Sequence, residues 1–454
     1  MTRILVVSPR GLLPSVSDVF AAMLDDGAEL LFAAKTKRVD RVKLPDRISD
    51  HPNASVVRVP LRRKGADAAA VEAFRLLCDF VRFLDPELEG GSWPRTRIER
   101  RLRSLTTQPD LNLLVRPETL PPRTYRALHE ALRSVERLLP PEPALEEVVH
   151  ELELDGVLLV SRCSFGGSEP DVIKTARLVG VPSIMLVWSW DNLSSKAVLH
   201  EHPDHLLVWN DVQRGEAVDL HGVPLERIRV VGAPNFDRFF AEAEAATPRP
   251  PAARAVHTIL YLGSSSNVAP DEAGVVSRWL AAVRASVDPL VRDARVVIRP
   301  YPAGGERWRG WSPPDERTVV AEPAEKIEPA TLARLLAEAD AVVALNTSAE
   351  IEAAIAGRPV LTFRAGAEAP GQEGSLHFEY LLAAHGGFVI DAADLDEHVA
   401  RLAEVLHGDY DRAAPGRFVE RFVRPAGRSV PVAPLVASTV LELSARTAEP
   451  VAAP

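Results

Sequence analysis

The clearest structural signal in this chain is the stretch Ala341-Val-Val-Ala-Leu-Asn-Thr-Ser-Ala-Glu-Ile-Glu-Ala-Ala-Ile-Ala-Gly-Arg-Pro-Val360. It begins with a short apolar run, passes through three polar residues and continues with the spacing of a helix packed on one side. Gly357 and Pro359 end that helix, and a second apolar run follows. Because strand, turn, helix and strand follow one another directly, the stretch predicts one βαβ unit of a parallel sheet.

The turn of this unit is a predicted anion-binding site. Asn346, Thr347 and Ser348 stand where the strand ends and the helix begins, so their side chains and the first N–H groups of the helix face one point. A diphosphate suits such a point. Glu352 lies one turn further along, where its carboxylate can accept hydrogen bonds from a ribose diol. The alternative is an N-capped helix that binds no ligand.

Around this unit, short apolar runs alternate with helical patterns in two series, as expected for parallel sheets. The first series predicts strands at Ile4 to Ser8, Glu29 to Ala33, Ser55 to Val59, Val157 to Ser161, Ser183 to Val187, His205 to Trp209 and Ile228 to Val231. The second predicts strands at Thr258 to Leu262, Arg295 to Ile298, Thr318 to Ala321, Ala341 to Leu345, Val360 to Phe363 and Phe388 to Ile390. Two such series in 454 residues predict an α/β protein of two domains.

Composition sets the expected domain boundaries. We expect the N-terminal domain to span residues 1–240. A helical insertion, whose periodicity is broken by prolines, interrupts it at about 61–151. We expect the C-terminal domain to span residues 256–428, and residues 429–454 to form a closing helix and a tail. The segment Ala241 to Ala255 is rich in Ala, Pro and Arg, and it predicts the linker.

The overall charge argues against nucleic acid as a partner. With 63 acidic and 53 basic side chains the net charge is −10, so no global field attracts DNA or RNA. Cys78 and Cys163 are too few for a disulfide framework and suit a reducing compartment. The chain has no apolar run of ~20 residues and begins with a run too short for a signal peptide. We expect a cytoplasmic protein with at most peripheral contact at the inner face of the membrane.

A second polar loop follows the first predicted strand of the C-terminal half and contains Gly263, Ser264, Ser265 and Ser266. Glycine lets a backbone come close to a ligand, and three hydroxyl groups can donate to phosphate oxygens. Because the carboxyl ends of parallel strands share one edge, we expect this loop beside the turn at Asn346. Gly-Ser turns are also common in loops that bind nothing.

The residues around Thr347 resemble the donor motif of GT-B glycosyltransferases. In that family a Ser/Thr pair precedes an acidic residue five positions before Gly-x-Pro, as Glu352 precedes Gly357 and Pro359. The segment also aligns without gaps with CDP-glycerol glycerophosphotransferases, whose serine pair and aspartate match Thr347, Ser348 and Glu352; UDP-GlcNAc 2-epimerases carry a related Ser-Gly-Gly version. The resemblance implies two Rossmann-like domains facing a central cleft, with the nucleotide sugar bound by the C-terminal domain.

Further segments of the C-terminal half carry the same resemblance. Arg299-Pro-Tyr-Pro302 is similar to Arg-Pro-His-Pro in the glycerophosphotransferase-like families; Tyr301 replaces the histidine, while Arg299 can neutralise phosphate or make a structural salt bridge. His377 begins a His-Phe-x-Tyr-Leu segment similar to that of bacterial surface-polysaccharide glycosyltransferases, which implies a phosphate or leaving-group contact. The alternative is a histidine at a helix start. Arg364 is expected to border the donor pocket.

The N-terminal half contains the unusual stretch Leu186-Val-Trp-Ser-Trp-Asp-Asn-Leu-Ser-Ser-Lys196. Indole faces stack on sugars and polar groups bind their hydroxyls, which suggests an acceptor site formed by Trp188, Trp190, Asn192 and Lys196. Glycerophosphotransferases hold His-Gly-x-Pro-x-Lys here, so the resemblance places Asp191 on their basic histidine and implies a general base. Alternatively, the tryptophans pack under the insertion and Asp191 caps a turn. Arg10, after the first strand, is a further acceptor-side residue or a surface salt bridge.

These features predict an enzyme that moves a sugar from a nucleoside-diphosphate sugar to a polysaccharide, lipid or small-molecule acceptor. No metal or separate cofactor is expected, since no Asp-x-Asp pair ends a predicted strand and the family neutralises the diphosphate with helix N-termini and side chains. Three alternatives stay open: a CDP-polyol phosphotransferase, a nucleotide-sugar 2-epimerase and an inactive GT-B scaffold protein.

Overall fold

The protein forms two compact units in a computed structural model. The structure describes residues 1–35, 39, 42–65, 67–85, 95–96, 98–99, 120–246, 256–302, 305–321, 329–372 and 376–445. Unit 1 consists of Met1–Asn235 and Phe422–Pro454, and unit 2 of Phe236–Arg421.

Unit 1 is built on a seven-stranded sheet whose described strand pairs are all parallel, in the order β3-β2-β1-β4-β5-β6-β7. Its strands are β1 (Arg3–Val7), β2 (Glu29–Ala34), β3 (Ala54–Arg58), β4 (Gly156–Ser161), β5 (Ser183–Val187), β6 (His205–Val208) and β7 (Ile228–Val230). Every residue of β4 and β5 is buried, as expected where helices cover both faces.

The helices of unit 1 include three that lie between β3 and β4, where the sequence predicts an insertion. The helices of this unit are α1 (Ser17–Asp25), α2 (Asp46–Ser49), α3 (Ala68–Arg82), α4 (Pro122–Leu138), α5 (Pro143–Glu151), α6 (Glu169–Leu178), α7 (Asn192–Ser195), α8 (Asp211–Asp219) and, near the C-terminus, α17 (Val432–Ala445). Short 3-10 helices span Arg10–Val16, Leu225–Arg227 and Pro234–Phe236. Helix α17 packs on α1, and Val436 and Val440 join Val19 and Phe20 in one apolar core.

Unit 2 is built on a six-stranded parallel sheet with the order β10-β9-β8-β11-β12-β13. Its strands are β8 (Thr258–Leu262), β9 (Arg295–Arg299), β10 (Thr318–Val320), β11 (Ala341–Ala344), β12 (Val360–Leu361) and β13 (Val389–Ile390). Its helices are α9 (Asp237–Ala245), α10 (Glu272–Ala285), α11 (Pro289–Arg292), α12 (Pro329–Glu338), α13 (Ala349–Ile355), α14 (Leu376–Glu379), α15 (Leu395–His407) and α16 (Ala414–Phe418). Shorter turns of helix span Gly305–Trp308, Gly366–Glu368, Ala383–His385 and Val419–Val423.

The predicted α/β class is confirmed, and the boundary between the units differs in position from the predicted linker. The chain passes from unit 1 to unit 2 after Asn235, and α9 continues to Ala245, inside the segment predicted as linker. Phe239 and Phe240 bury one face of α9, so the alanines that follow simply extend a packed helix. Residues 247–255 of the predicted linker lie outside the described residues.

No helix in the described part of the chain combines the length and the apolar character needed to cross a membrane. Cys78 and Cys163 are both buried free thiols, and burial raises the pKa of Cys163 to about 12.

Buried ion pairs connect the helices of the insertion to the rest of unit 1. Arg75 on α3 contacts Glu136 on α4 and Asp171 on α6, with N–O distances of 2.9 Å in both cases. Arg63 contacts Asp171 at 2.7 Å, and Lys174 contacts Glu136 at 2.9 Å. Burial alone raises the pKa of Asp171, but its hydrogen bonds and ion pairs to Arg75 and Arg63 outweigh burial and lower it. The network therefore fixes α3, α4 and α6 relative to one another.

We predict that Asp171→Ala lowers the free energy of unfolding by about 3–5 kcal/mol, because Arg63 and Arg75 lose their shared buried carboxylate. Asp67→Ala is the matched control: it also pairs with Arg63, but its side chain is 68% exposed, and its removal should cost about 1 kcal/mol or less. Urea unfolding followed by circular dichroism measures both. Since folding lowers the pKa of Asp171 from 3.8, the stability that Asp171→Ala loses should be lost in full at neutral pH, and the loss should shrink below about pH 4. Equal losses in the two variants would contradict this role.

Candidate functional site

The turn after β11 holds a strained and buried asparagine. Asn346 has a φ of 142°, a region that favours glycine, and it is 4% exposed. Its Nδ2 donates to the carbonyl of Gly371 at 2.9 Å, whereas its Oδ1 has no hydrogen-bond partner among the described residues. Backbone strain and an unused buried acceptor cost free energy, and such features concentrate at functional sites.

The start of α13 differs in part from the predicted anion cradle. The backbone N–H of Thr347 donates to Oε2 of Glu350 at 3.1 Å, so the protein itself satisfies this group. Ser348 is the N-cap residue, and its exposed hydroxyl makes no capping bond. No described residue accepts a hydrogen bond from the N–H groups of Ser348 and Ala349. For those two N–H groups and the Ser348 hydroxyl, the described residues therefore offer no partner, and of the two residues Ser348 is the exposed one.

The loop after β8 also differs from expectation. The backbone N–H and hydroxyl of Ser264 both donate to Oε1 of Glu272, at 2.6 and 2.7 Å, because the serine is fully buried beside that carboxyl group. A Cβ on Gly263 would lie 2.6 Å from the backbone nitrogen of Tyr301, so glycine is required for packing between strand ends. Ser265 is half-buried and Ser266 exposed. For the hydroxyls of Ser265 and Ser266, unlike that of Ser264, no hydrogen-bond partner is found among the described residues.

Loops from three neighbouring strands meet at this edge, as the sequence predicts. The N–H of Gly371 donates to the carbonyl of Val268 at 3.1 Å, and the carbonyl of Gly371 accepts from Asn346. A Cβ on Gly371 would lie 2.5 Å from the Cα of Val268. The loops after β8, β11 and β12 are therefore held together through one glycine that no side chain could replace.

Arg299 and Glu352 supply the charges of this edge. Arg299 ends β9 and is 9% exposed; burial lowers its pKa, and the nearby charge of Glu352 opposes that shift. Burial raises the pKa of Glu352 to about 7, and Arg299 limits the rise. Among the described residues, none forms a hydrogen bond or a close ion pair with the Arg299 guanidinium. A buried cation without a close counter-ion can bind an anion strongly.

Four residues of this edge were missed by the sequence analysis. Glu350 is fully buried, and burial raises the pKa of its carboxyl group to about 8. Glu272 holds Ser264, Arg307 donates to the carbonyls of Ser264 and Ala269, and Gln372 donates to the carbonyl of Phe363 at 3.0 Å. Only Glu350 had a sequence signal, since an acid between apolar residues of a predicted buried helix face requires a partner.

Arg364 and His377 lie near the ends of β12 and β13. Arg364 forms an ion pair with Asp391, with a distance of 2.8 Å between Nη2 and Oδ2, and its guanidinium lies 5.0 Å from the ring centroid of Phe378. The structure thus gives Arg364 a protein counter-ion, unlike Arg299. His377 is half-buried in the short helix α14.

In unit 1, the polar residues of the predicted acceptor loop contact one another. Nζ of Lys196 lies 2.9 Å from Oδ2 of Asp191, and the hydroxyl of Ser195 donates to the Asp191 carbonyl. Asn192 is buried, and its Oδ1 accepts the N–H of Ser189 at 2.9 Å. Asp191 and Lys196 are therefore partly exposed neighbours, whereas Asn192 shapes the turn.

The two tryptophans of this loop behave mainly as packing residues. Trp190 is 5% exposed and so offers no face to a sugar, while Trp188 is partly buried against the apolar core of unit 1. The prediction that both tryptophans stack on a sugar is therefore wrong for Trp190. Of the two side chains, that of Trp188 is the one that is partly exposed. Arg10 begins the short helix Arg10–Val16, and its side chain lies outside the described part of the structure.

Helix α3 of the insertion holds the acceptor loop in place, which the sequence analysis did not foresee. Arg82 is fully buried and donates to the carbonyls of Leu193, Lys196 and Ala197. Asp79 accepts the N–H of Val198 at 3.0 Å through Oδ1. The insertion thus fixes the loop backbone on both sides of Lys196.

The sequence matches no protein-family model and no curated protein. Solved structures do match over nearly the whole chain, each with a TM-score of 0.50. They include UDP-GlcNAc 2-epimerase from Methanocaldococcus jannaschii (11% identity, covering 97% of this chain and 99% of that chain). Arabidopsis thaliana UGT89C1 in complex with UDP is 13% identical to this chain, and the match covers 98% of this chain and 100% of that chain. A glycosyltransferase from Rickettsia africae is 9% identical, and the match covers 98% of each chain.

These similarities establish the fold as GT-B, with two Rossmann-like units, as the sequence predicts. At such identities they define the fold alone. Within the described residues, no group of three or more His, Cys, Asp and Glu side chains is arranged to hold a metal ion.

We predict that Glu350→Gln makes the protein more stable than wild type at alkaline pH. The pKa of Glu350 rises from 4.5 to about 8 on folding, so the wild type loses stability as pH increases through this range, whereas glutamine does not ionise. Between pH 5 and pH 8.5, the free energy of unfolding of the variant should rise by about 2–4 kcal/mol relative to that of the wild type. Urea unfolding at several pH values measures it. Glu404→Gln, which changes an exposed carboxylate on α15, is the control; parallel curves for Glu350→Gln and wild type would contradict the assignment.

Proposed function

We propose that this chain is a GT-B glycosyltransferase that binds a nucleoside-diphosphate sugar at the carboxyl edge of the unit 2 sheet. The observation that carries the proposal is Arg299, a buried guanidinium for which no close counter-ion is found among the described residues and whose pKa responds to the charge of Glu352 on α13. The N–H groups of Ser348 and Ala349, for which the described residues offer no acceptor, lie at the same carboxyl edge of the sheet. Both features suit the two phosphates of a nucleotide. The shared fold with nucleotide-sugar enzymes supports it.

The donor site divides into a phosphate part and a ribose part. Arg299, Ser348 and the serines after Gly263 would bind phosphate oxygens, with Ser265 and Ser266 donating and Ser264 holding the loop through Glu272. Glu352 would accept hydrogen bonds from the ribose diol. The backbone around Asn346 and Thr347 would shape the floor of the site, and Arg364 with His377 would border the sugar and the leaving diphosphate.

The acceptor site is proposed in unit 1. Asp191 would remove the proton of the attacking hydroxyl, once its ion pair with Lys196 is shared with or replaced by the acceptor. Arg10 and Trp188 complete the proposed acceptor side, with Asn192 shaping the turn and Trp190 supporting the loop from the core. The acceptor is a polysaccharide, lipid or small molecule, and the proposed place of work is the cytoplasm or the inner face of the membrane. The diphosphate would be neutralised without a metal ion.

We predict that one of UDP, GDP, CDP and dTDP raises the melting temperature by several degrees, because a ligand that binds only the folded chain stabilises it. Glu352→Ala should abolish the shift for both the diphosphate and the free nucleoside. Arg299→Gln should weaken diphosphate binding by roughly 100-fold and leave nucleoside binding nearly unchanged. Thermal-shift and calorimetric titrations measure these effects.

Glu404→Ala removes an exposed carboxylate of the same unit and serves as the matched control. If no nucleotide raises the melting temperature, the inactive scaffold becomes the better description. If Glu352→Ala retains the full shift, the ribose assignment is wrong.

We predict that Asp191→Asn lowers kcat by about 10²–10⁴ while leaving the nucleotide Kd unchanged, because a general base acts on the acceptor and not on the donor. The readout is nucleotide release from the nucleotide sugar of the matching base, with monosaccharides and sugar phosphates as acceptors. Asp211→Asn, which changes an exposed aspartate of unit 1, is the control.

The products separate the proposed reaction from its alternatives. Transfer of label from CDP-glycerol would identify a CDP-polyol phosphotransferase. Release of nucleotide together with a 2-epimerised free sugar, in the absence of any acceptor, would identify a 2-epimerase. Either result would refute glycosyl transfer.

A further inference from the structure

Unit 1 contains a cavity of about 920 Å³ that none of the assigned site residues lines. It lies at the carboxyl edge of the sheet, where Ser8 follows β1, Lys35 follows β2 and Ser164 lies in the loop after β4. The chain order of the strands reverses between β1 and β4, and open parallel sheets bind ligands at such reversals. Its volume is within the range of small-molecule sites.

The lining of this cavity is positive, although the chain as a whole is negative. Five Lys and Arg side chains and three carboxylates line it, in a chain with a net charge of −10. Arg63 and Arg75 are paired with Asp171. For the exposed side chains of Lys35, Arg62 and Lys64, by contrast, no partner is found in the described parts of the chain. The positive charges for which the described residues offer no partner are therefore carried by side chains that line the cavity.

The segment that presents Arg62 and Lys64 is rigidly anchored. Between them, the side chain of Arg63 is 8% exposed and donates to Asp171 and to the carbonyl of Pro140. The N–H of Lys64 donates to Oε2 of Glu142 at 3.2 Å. Because this backbone is already fixed, an anion that binds Arg62 and Lys64 does not have to order the segment, and less binding free energy is lost.

A second part of the lining, in the loop after β4, offers hydroxyl and carboxylate groups. The loop after β4 passes through Gly166, whose φ is +62° and whose N–H donates to Asp79 at 2.9 Å. Gly167 lines the cavity, and a side chain there would collide with the carboxylate of Glu169, so this carboxylate packs on the backbone of the loop. Ser164, Ser168 and Glu169 belong to this part of the lining, and such groups bind sugar hydroxyls.

We propose that this cavity binds an anionic carbohydrate, whose phosphate or carboxylate contacts Arg62 and Lys64 and whose hydroxyl groups contact Ser164, Ser168 and Glu169. The cationic wall supplies charge-assisted hydrogen bonds to the anion, and the loop after β4 selects for a polyol. Binding at this cavity depends on unit 1 alone.

The test is calorimetric titration of the full chain with glucose 6-phosphate, glucuronic acid and glucose, each without nucleotide. We expect one anionic sugar to bind at least about tenfold more tightly than glucose, and more weakly at about 300 mM than at about 50 mM salt. The two anionic sugars distinguish a phosphate from a carboxylate group. Arg62→Ala/Lys64→Ala should weaken the binding roughly tenfold or more.

Arg58→Ala/Arg229→Ala removes the same charge from exposed positions of unit 1 outside the cavity, and it should leave the affinity unchanged. Glucose binding as tightly as the anionic sugars, no binding at millimolar concentration, or equal losses in both double variants would overturn the proposal. The result is independent of the donor site: anionic-sugar binding without any nucleotide binding would refute the proposed glycosyl transfer and leave this cavity assignment intact.

Discussion

A parallel sheet gathers the carboxyl ends of its strands at one edge, and this constraint places the polar loops of each unit. The loop backbones must find hydrogen-bond partners where water is excluded. In unit 2 they find one another: the N–H of Gly263 donates to the Arg299 carbonyl at 2.8 Å, and Gly371 bridges Val268 and Asn346. The bonds that close the sheet edge are thus the bonds that position Arg299 and the turn at Asn346.

The two units handle buried charge in different ways. In unit 1, Arg75 lies between Glu136 and Asp171, so that opposite charges stay ionised and paired within 2.9 Å. Burying such groups is costly, and pairing offsets the cost only when the geometry is tight. In unit 2, the partner that the described residues offer Glu350 is a backbone N–H, and burial shifts the pKa of this carboxyl group upward instead. One unit is therefore stiffened by ion pairs, and the other tolerates neutralised acids.

The sequence predicted the strands well, because burial on both faces leaves continuous apolar runs such as Gly156–Ser161 that local pattern alone identifies. It also placed Asn346, Arg299 and the Gly263 loop at one edge, since topology follows from strand order. It could not show that Ser264 turns to Glu272 or that Trp190 is buried, because side-chain direction depends on partners distant in sequence. The position of the unit boundary was missed for the same reason: only packing reveals that α9 belongs to unit 2.

Counting formal charges misrepresents the edge of unit 2. Glu272, Glu350 and Glu352 outnumber Arg299 and Arg307 there, which suggests an acidic site. Burial reverses this balance: with pKa values of about 8 and about 7, Glu350 is mostly protonated and Glu352 about half protonated at neutral pH, while an arginine keeps its charge. Arg307 lies 3.6 Å from Glu272, so in the part of this edge that the structure describes Arg299 is the cation without a close counter-ion. Among the described residues of this edge, the raised pKa values of the two carboxyl groups and the charge of Arg299 therefore favour an anion over a cation.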